Sequence, residues 1–299
     1  MAAAFLFTAL PLSAQPRGRS TPGGLRSEMR IQGYYFDNFF HSTRPADEEN
    51  VTALGAELRA AFRPGQQPLE IFGHVSATKY GVDEASNSYG ARIGTSFDDE
   101  RHEWIVFLDH AENRPSFEVA NTFARADVTT LAGEYSYRLS KDWEVGGETA
   151  LQRQTYDVES DRENSYKAIG ANVRYRGFGY RIAPEAGILL SNRDVEDEEE
   201  SYDSFDKYLQ VAYIPTMAGD PLYVSLRYRM RNRSYTIGDR AAGNFGREEN
   251  RGAWTALVDY RLVQNVNVWV YYSTESIDSS LPSRDFNTGL LLTGITIGF

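Results

Sequence analysis

The chain has no cysteine, only four lysines and four histidines, and, beyond its N-terminus, no run of about 18 apolar residues. The absence of cysteine excludes disulfides and is compatible with an exported bacterial protein that needs none. The absence of a long apolar run excludes a membrane-spanning helix. Positive charge is also scarce overall: the net charge of -11 at pH 7 opposes nucleic-acid binding, as does the lack of a basic exposed helix. His41, His74, His102 and His110 fall on separate segments, so no metal spacing is formed. No glycine fingerprint leads from a strand into a helix. His74 and Ser76 share a strand face, but no third partner or elbow motif accompanies them. Neither a catalytic apparatus nor a cofactor is expected, and the chain does not read as an enzyme. The acidic run Asp194-Val-Glu-Asp-Glu-Glu-Glu200 lacks the spacing and glycine of a calcium loop and reads as a solvated loop.

What the sequence does contain is a two-residue rhythm. Alternating apolar and polar residues predict strands near 29–39, 51–63, 68–78, 88–98, 103–110, 126–139, 142–154, 165–176, 180–191, 205–214, 222–233, 252–262, 266–275 and 287–299. Fourteen is an even number, as antiparallel closure requires. The connections alternate between short ones, such as Ser140-Lys141 and Val263-Gln-Asn265, and long polar ones near 41–50, 79–87, 111–125, 156–164, 192–204, 234–251 and 276–286. Every second strand ends on an aromatic in phase with its apolar residues: Phe62, Phe97, Tyr137, Tyr175, Tyr213, Tyr260 and the terminal Phe299. Successive side chains point to opposite faces of a strand, so these rings belong to the apolar face at the short-turn end. Trp104 and Trp143, opening their strands, land at the same level. Amphipathic rings settle at a membrane's headgroup level, so the pattern is that of an interfacial girdle on a transmembrane barrel. A mean hydropathy of -0.49 and 41% hydrophobic residues do not contradict this, because a barrel wall carries about one polar residue for each apolar one.

The last predicted strand, Gly289-Leu-Leu-Leu-Thr-Gly-Ile-Thr-Ile-Gly-Phe299, resembles the C-terminal signature of Gram-negative outer-membrane β-barrels, and the whole presumed mature chain resembles that class in pattern. The likeness is to putative porins and fourteen-stranded monomeric porins. It implies an all-β, transmembrane, up-and-down antiparallel barrel, integral to the outer membrane, with both termini periplasmic. It also implies contact with outer-membrane lipid and lipopolysaccharide, and recognition of Phe299 by barrel-assembly machinery. Fatty-acid transporters of similar strand number carry an N-terminal plug, for which this chain has no counterpart. Residues 1–15 read as a secretory signal with small residues at Ser13 and Ala14, 16–28 as a flexible lead-in rich in Arg, Gly, Ser and Pro, and 29–299 as the barrel.

The phase of the girdle assigns the inward face. It turns Arg227, Arg229, Arg231 and Arg233 inward as a ladder, with Leu222, Val224, Leu226, Tyr228 and Met230 toward lipid. Guanidiniums two residues apart lie about 7 Å from one another, and each pair repels by about 0.6 kcal/mol in water but about 2.4 kcal/mol at an effective dielectric of 20. The ladder's like charge exceeds the carboxylates expected beside it, although Asp206 should face Arg229 if the turn register is simple. Arg174, Arg176, Arg181 and Arg193 add to this basic arc, with Glu185 among them, and Asp259 and Arg261 lie on the strand after the ladder. Glu103, Asp109, Glu134, Glu144 and Glu148 form an acidic arc with Arg101 and Arg138, while Glu57, Arg59, Arg63, Glu70, His74 and Arg92 are mixed. The arcs are expected to face each other across water, the layout of a porin constriction; the alternative is an ion-pair lattice stiffening the wall. Of the cations 27 are Arg and 4 are Lys, and the planar, always-charged guanidinium suits carboxylate or phosphate. Passive diffusion of small hydrophilic, anionic solutes is the function expected. A conduit or scaffold for surface-polysaccharide export or envelope assembly is the alternative, and a soluble β-rich protein a third reading. The loops at 111–125 and 234–251 are candidates to fold inward and narrow the pore.

Overall fold

Fourteen strands close into one antiparallel barrel in a computed structural model that describes residues 24–37, 50–66, 68–81, 87–116, 124–156, 163–177, 181–195, 201–213, 222–235, 246–280 and 285–299. The strands are β1 (Leu25–Asp37), β2 (Val51–Phe62), β3 (Leu69–Tyr80), β4 (Ser88–Asp98), β5 (His102–Ser116), β6 (Ala124–Arg138) and β7 (Trp143–Tyr156). They continue as β8 (Asn164–Tyr175), β9 (Ile182–Val195), β10 (Tyr202–Tyr213), β11 (Leu222–Tyr235), β12 (Glu248–Val263), β13 (Val266–Ser279) and β14 (Phe286–Gly298). Each pairs with its neighbours in sequence, and β1 closes on β14 from Glu28 opposite Gly298 to Asp37 opposite Gly289. Closure leaves no row of unpaired amides and carbonyls, each of which would cost several kcal/mol in hydrocarbon.

Alternation decides which face each residue takes. On β10, Tyr202, Ser204, Asp206, Tyr208, Gln210 and Ala212 are buried inside, while Phe205, Leu209 and Val211 point out and are exposed. The same rule exposes Leu54 and Leu58 on β2, Ile169 on β8 and Leu226 on β11. Apolar side chains therefore cover the outer wall on all sides of the barrel. A soluble monomer rarely exposes more than a few hundred Å² of contiguous apolar surface, so this belt is built for lipid and excludes the soluble alternative.

The short turns explain how one rim is kept tight. Pro64 fixes its own backbone and Gly65 takes φ of 67°, a left-handed conformation that favours glycine. The Asp99 carboxylate accepts the amides of Arg101 at 2.7 Å and His102 at 2.6 Å, which holds its pKa below the usual carboxylate value. Ser140 Oγ accepts the amides of Asp142 and Trp143 in the same way. The first residues of β1 and the last of β14 lie at this same rim, where Leu25 pairs with Phe62 and Gly298 with Glu28.

Of the boundaries that differ from the sequence expectation, three change what lines the wall. β1 begins at Leu25, so the end of the supposed lead-in belongs to the barrel wall, paired with β2. β5 runs on to Ser116 through a bulge, where Asn113 adopts φ of 53° and its amide bonds Asp127. The extra residue shifts the alternation so that Arg114 is buried. β12 starts at Glu248 rather than at residue 252. The signal segment 1–15, the lead-in to residue 23, and the central parts of the two candidate constriction loops (117–123 and 236–245) lie outside the described residues.

Candidate pore

The seven aromatics proposed as a girdle lie on the outward phase at the short-turn rim. Phe62, Tyr260 and Phe299 are exposed, and Phe97, Tyr137, Tyr175 and Tyr213 half-buried. Phe97 stacks on Trp104 at 5.9 Å between ring centroids, and Trp143 packs against Tyr175 at 4.8 Å.

The alternation places Arg227, Arg229, Arg231 and Arg233 on the lumenal side of β11, with Arg174 on β8 and Arg261 on β12. Arg176 follows β8 at the rim, and Arg181 sits in the turn before β9, exposed. Glu103 and Asp109 on β5, Glu134 on β6, Glu144 and Glu148 on β7, Glu185 on β9 and Asp259 on β12 also fall on the lumenal phase.

Most of these charges pair sideways along the wall, while Glu148 on β7 stands in the field of Arg227 and Arg229 on β11. Arg174 lies in register with Glu144 on one side and Glu185 on the other, with nitrogen to oxygen distances of 2.8 Å and 2.6 Å, and Arg176 reaches Glu144 at 2.7 Å. The expected basic and acidic arcs are thus stitched together where β7 meets β8. On the ladder, Asp206 stands opposite Arg231, one pair further than the simple turn register, and bonds both Arg231 at 2.9 Å and Arg229. Arg233 lies 3.9 Å from Glu249, which also holds Arg251 at 2.6 Å and Arg247 at 3.4 Å. The ladder is therefore better supplied with carboxylates than the sequence suggested, because Glu249 belongs to the strand extension assigned to a loop. Arg227 differs: its guanidinium lies over the Tyr208 ring at 3.7 Å and has no carboxylate within 4.0 Å among the described residues.

A second charged belt crosses β2 to β5. Arg59 grips Glu57 at 2.7 Å and 3.0 Å, His74 stands 3.2 Å from Glu57 and 3.9 Å from Asp109, and Arg92 bonds Asp109 at 2.9 Å while lying over the Phe107 ring. Arg59, His74 and Arg92 line two lumenal cavities at once, one of about 140 Å³ and, toward the short-turn rim, one of about 80 Å³. The belt is the partition between them.

The lumen is less polar than the rhythm implied. Tyr34, Phe36, Tyr80, Trp269 and Tyr271 point inward, and so do Leu290 and Leu292. Three consecutive leucines cannot all face lipid, and only Leu291 does. Near the long-loop end, Tyr202 and Tyr235 pack together at 5.4 Å, with Arg233 over the first ring and Arg247 over the second. Among the described residues no group of His, Asp and Glu is placed to hold a metal ion.

No protein-family model matches the chain, and no curated relative does. Solved structures do. A monoaromatic hydrocarbon channel, CymD, superposes with a TM-score of 0.51 at 9% identity, covering 93% of this chain and 89% of its own. A bacterial polysaccharide outer-membrane secretin gives 0.51 at 7% identity, covering 91% and 98%. The fold is that of the outer-membrane β-barrel channels. An anion-selective porin from Comamonas acidovorans also aligns, at a TM-score of 0.47 and 8% identity, over 92% of this chain and 99% of its own. In a barrel of this class the apolar outer wall faces lipid, which makes the inward set just described the surface a solute would meet.

Proposed function

We propose that this barrel is a porin-like channel, not an enzyme, through which small hydrophilic solutes diffuse with a preference for anions. The observation that carries the preference is a pair of lumenal guanidiniums, Arg30 and Arg227, that have no carboxylate within 4.0 Å among the described residues. The paired residues form the wall, and these two stand outside its pairs, as the lumenal carboxylates Glu148 and Asp259 do among the described residues. The described outward lysines of β3, β8 and β10 (Lys79, Lys167 and Lys207) are available to lipopolysaccharide phosphate, and Phe299 to barrel-assembly machinery.

Planar-bilayer recording of the refolded protein tests the reading. Absence of any conductance step sinks the channel. Replacing Arg227, Arg229 and Arg231 together by Gln should move ion selectivity toward cations, and unchanged reversal potentials would make the ladder purely structural. The fold likeness to the polysaccharide secretin supports a second reading, a conduit or scaffold in surface-polysaccharide export. A closed barrel that copurifies with periplasmic proteins would favour it.

A further inference from the structure

The larger lumenal cavity is built from two unlike walls. One is charged, with Arg30, Arg59, Arg92 and Arg114 set against Glu57 and Asp109. Each carboxylate is gripped by its own guanidinium, Glu57 by Arg59 and Asp109 by Arg92. Arg30 is left over. It is buried, its Nε donates to Thr296 Oγ1 at 3.3 Å, and its terminal amino groups meet no acceptor among the described residues.

The other wall is apolar and flat, formed by Trp269, Tyr271, Leu290 and Leu292 with Tyr34 beside them. Trp269 can lie against the sheet because Gly294 stands opposite it; a Cβ there would come within 2.5 Å of the indole. The Arg30 guanidinium carbon stands 5.1 Å from the centre of that ring, so charge and shelf are adjacent. The indole Nε1 is buried with no hydrogen-bond partner, a donor aimed at nothing the described protein supplies. The volume, about 140 Å³, is close to that of an engineered cavity of about 150 Å³ that holds benzene.

We propose that this cavity binds a monocyclic aromatic carboxylate, its carboxylate on the free fork of Arg30 and its ring against Trp269 and Tyr271. A guanidinium fork matches a carboxylate bidentately, and an aromatic shelf rewards a flat apolar ring, so the two walls together select both ends of such a solute. The site deepens the channel reading and rests on it for a physiological role, but binding itself does not require conduction.

Benzoate is the probe, added to the full refolded chain in two formats. In a planar bilayer, benzoate should reduce the chloride conductance saturably, and benzyl alcohol, with the same ring and no charge, should need at least tenfold more. In detergent micelles, calorimetry should give benzoate binding that weakens at least tenfold in Arg30→Gln and in Trp269→Leu, with Arg30→Lys intermediate because it keeps charge and loses the fork. A conducting barrel on which benzoate acts no better than acetate overturns the site and spares the channel. A silent barrel that binds benzoate, with the loss in Arg30→Gln, sinks the channel and upholds the site. Glucuronate binding as tightly as benzoate would overturn the apolar-ring assignment. Benzoate binding unchanged in both Arg30→Gln and Trp269→Leu would overturn the proposal outright.

Discussion

Asp206 joins two rungs of the arginine ladder, and its replacement by Asn shows how far the lumen depends on lateral pairing. Its side chain is 1% exposed, bonds Arg229 and Arg231, and accepts the Ser204 hydroxyl at 2.6 Å. Without its charge Arg229 and Arg231 face each other about 7 Å apart without the carboxylate they share, an adjacent pair repelling by about 2.4 kcal/mol at an effective dielectric of 20. Removing one partner of a buried ion pair costs about 3–5 kcal/mol, and Asp206→Asn is expected in that range. Arg231→Gln should cost less, about 1–2 kcal/mol, because Asp206 keeps Arg229 and a repulsion disappears on either side. The double variant should then be less destabilised than the sum of the two singles, since each removes the same contact. Urea unfolding in lipid vesicles, followed by tryptophan fluorescence, reads all three. If Arg231→Gln proves the more damaging single change, Asp206 is not what neutralises the ladder and the argument from lateral pairing fails.

Three further outcomes follow from the same geometry. Leu58→Arg, on the lipid face of β2, should destabilise the barrel by about 2–4 kcal/mol, while Thr52→Arg near the long-loop end of that strand costs about 0–1; equal costs in the vesicle unfolding assay would deny the outer belt. Gly294→Ala places a methyl 2.5 Å from Trp269 and 2.7 Å from the Ile31 carbonyl, so about 1–3 kcal/mol should be lost and the indole displaced, visible as a shifted emission maximum. Anion preference should weaken between 0.1 M and 1 M salt, as the screening length falls from about 10 Å to about 3 Å. A reversal potential independent of salt concentration would assign selectivity to something other than the lumenal field.

The strand number was legible because it rests on a period of two that a single barrel wall obeys throughout. Arg227 to Arg233 and Phe62 to Phe299 could be placed without knowing any contact. What the sequence hid was register across long loops and the departures from alternation. Glu144 meets Arg174 across the long connection between β7 and β8, whose sequence contains neither Gly nor Pro to announce a pairing. Glu249 was lost because the Glu-Glu-Asn-Arg run around it looks like solvated loop, yet its alternate residues are buried on β12. The Asn113 bulge before Pro115 reversed the phase at Arg114, and Asn followed by Arg-Pro is the one local signal that could have announced it. The aromatic lumen was missed for a different reason. Trp269 and Tyr271 alternate with outward Val270 and Tyr272, so the strand carries apolar residues on both faces and its rhythm is silent about which side is wet.

Arg30 and Arg227, which have no carboxylate within 4.0 Å among the described residues, are not placed at random with respect to that aromatic surface. Arg30 is on β1 and Arg227 on β11, and the three strands between them on the closed sheet, β12 to β14, turn Leu257, Trp269, Tyr271 and Leu292 inward as part of one apolar cluster. An apolar wall polarises weakly, so the field of a charge at its edge decays less than it would beside water; at 4 Å the same unit interaction is about 1 kcal/mol in water and about 4 kcal/mol at an effective dielectric of 20. On the opposite side, β2 to β5 and β7 to β9 hold most of their charges in tight lateral pairs, with Glu148 outside them. The lumen therefore presents one arc dominated by lateral pairs and one in which two cations flank a low-dielectric surface. On the proposed anion preference, the number of arginines in the wall would matter less than which of them the neighbouring strands leave without a carboxylate, and what those few stand beside.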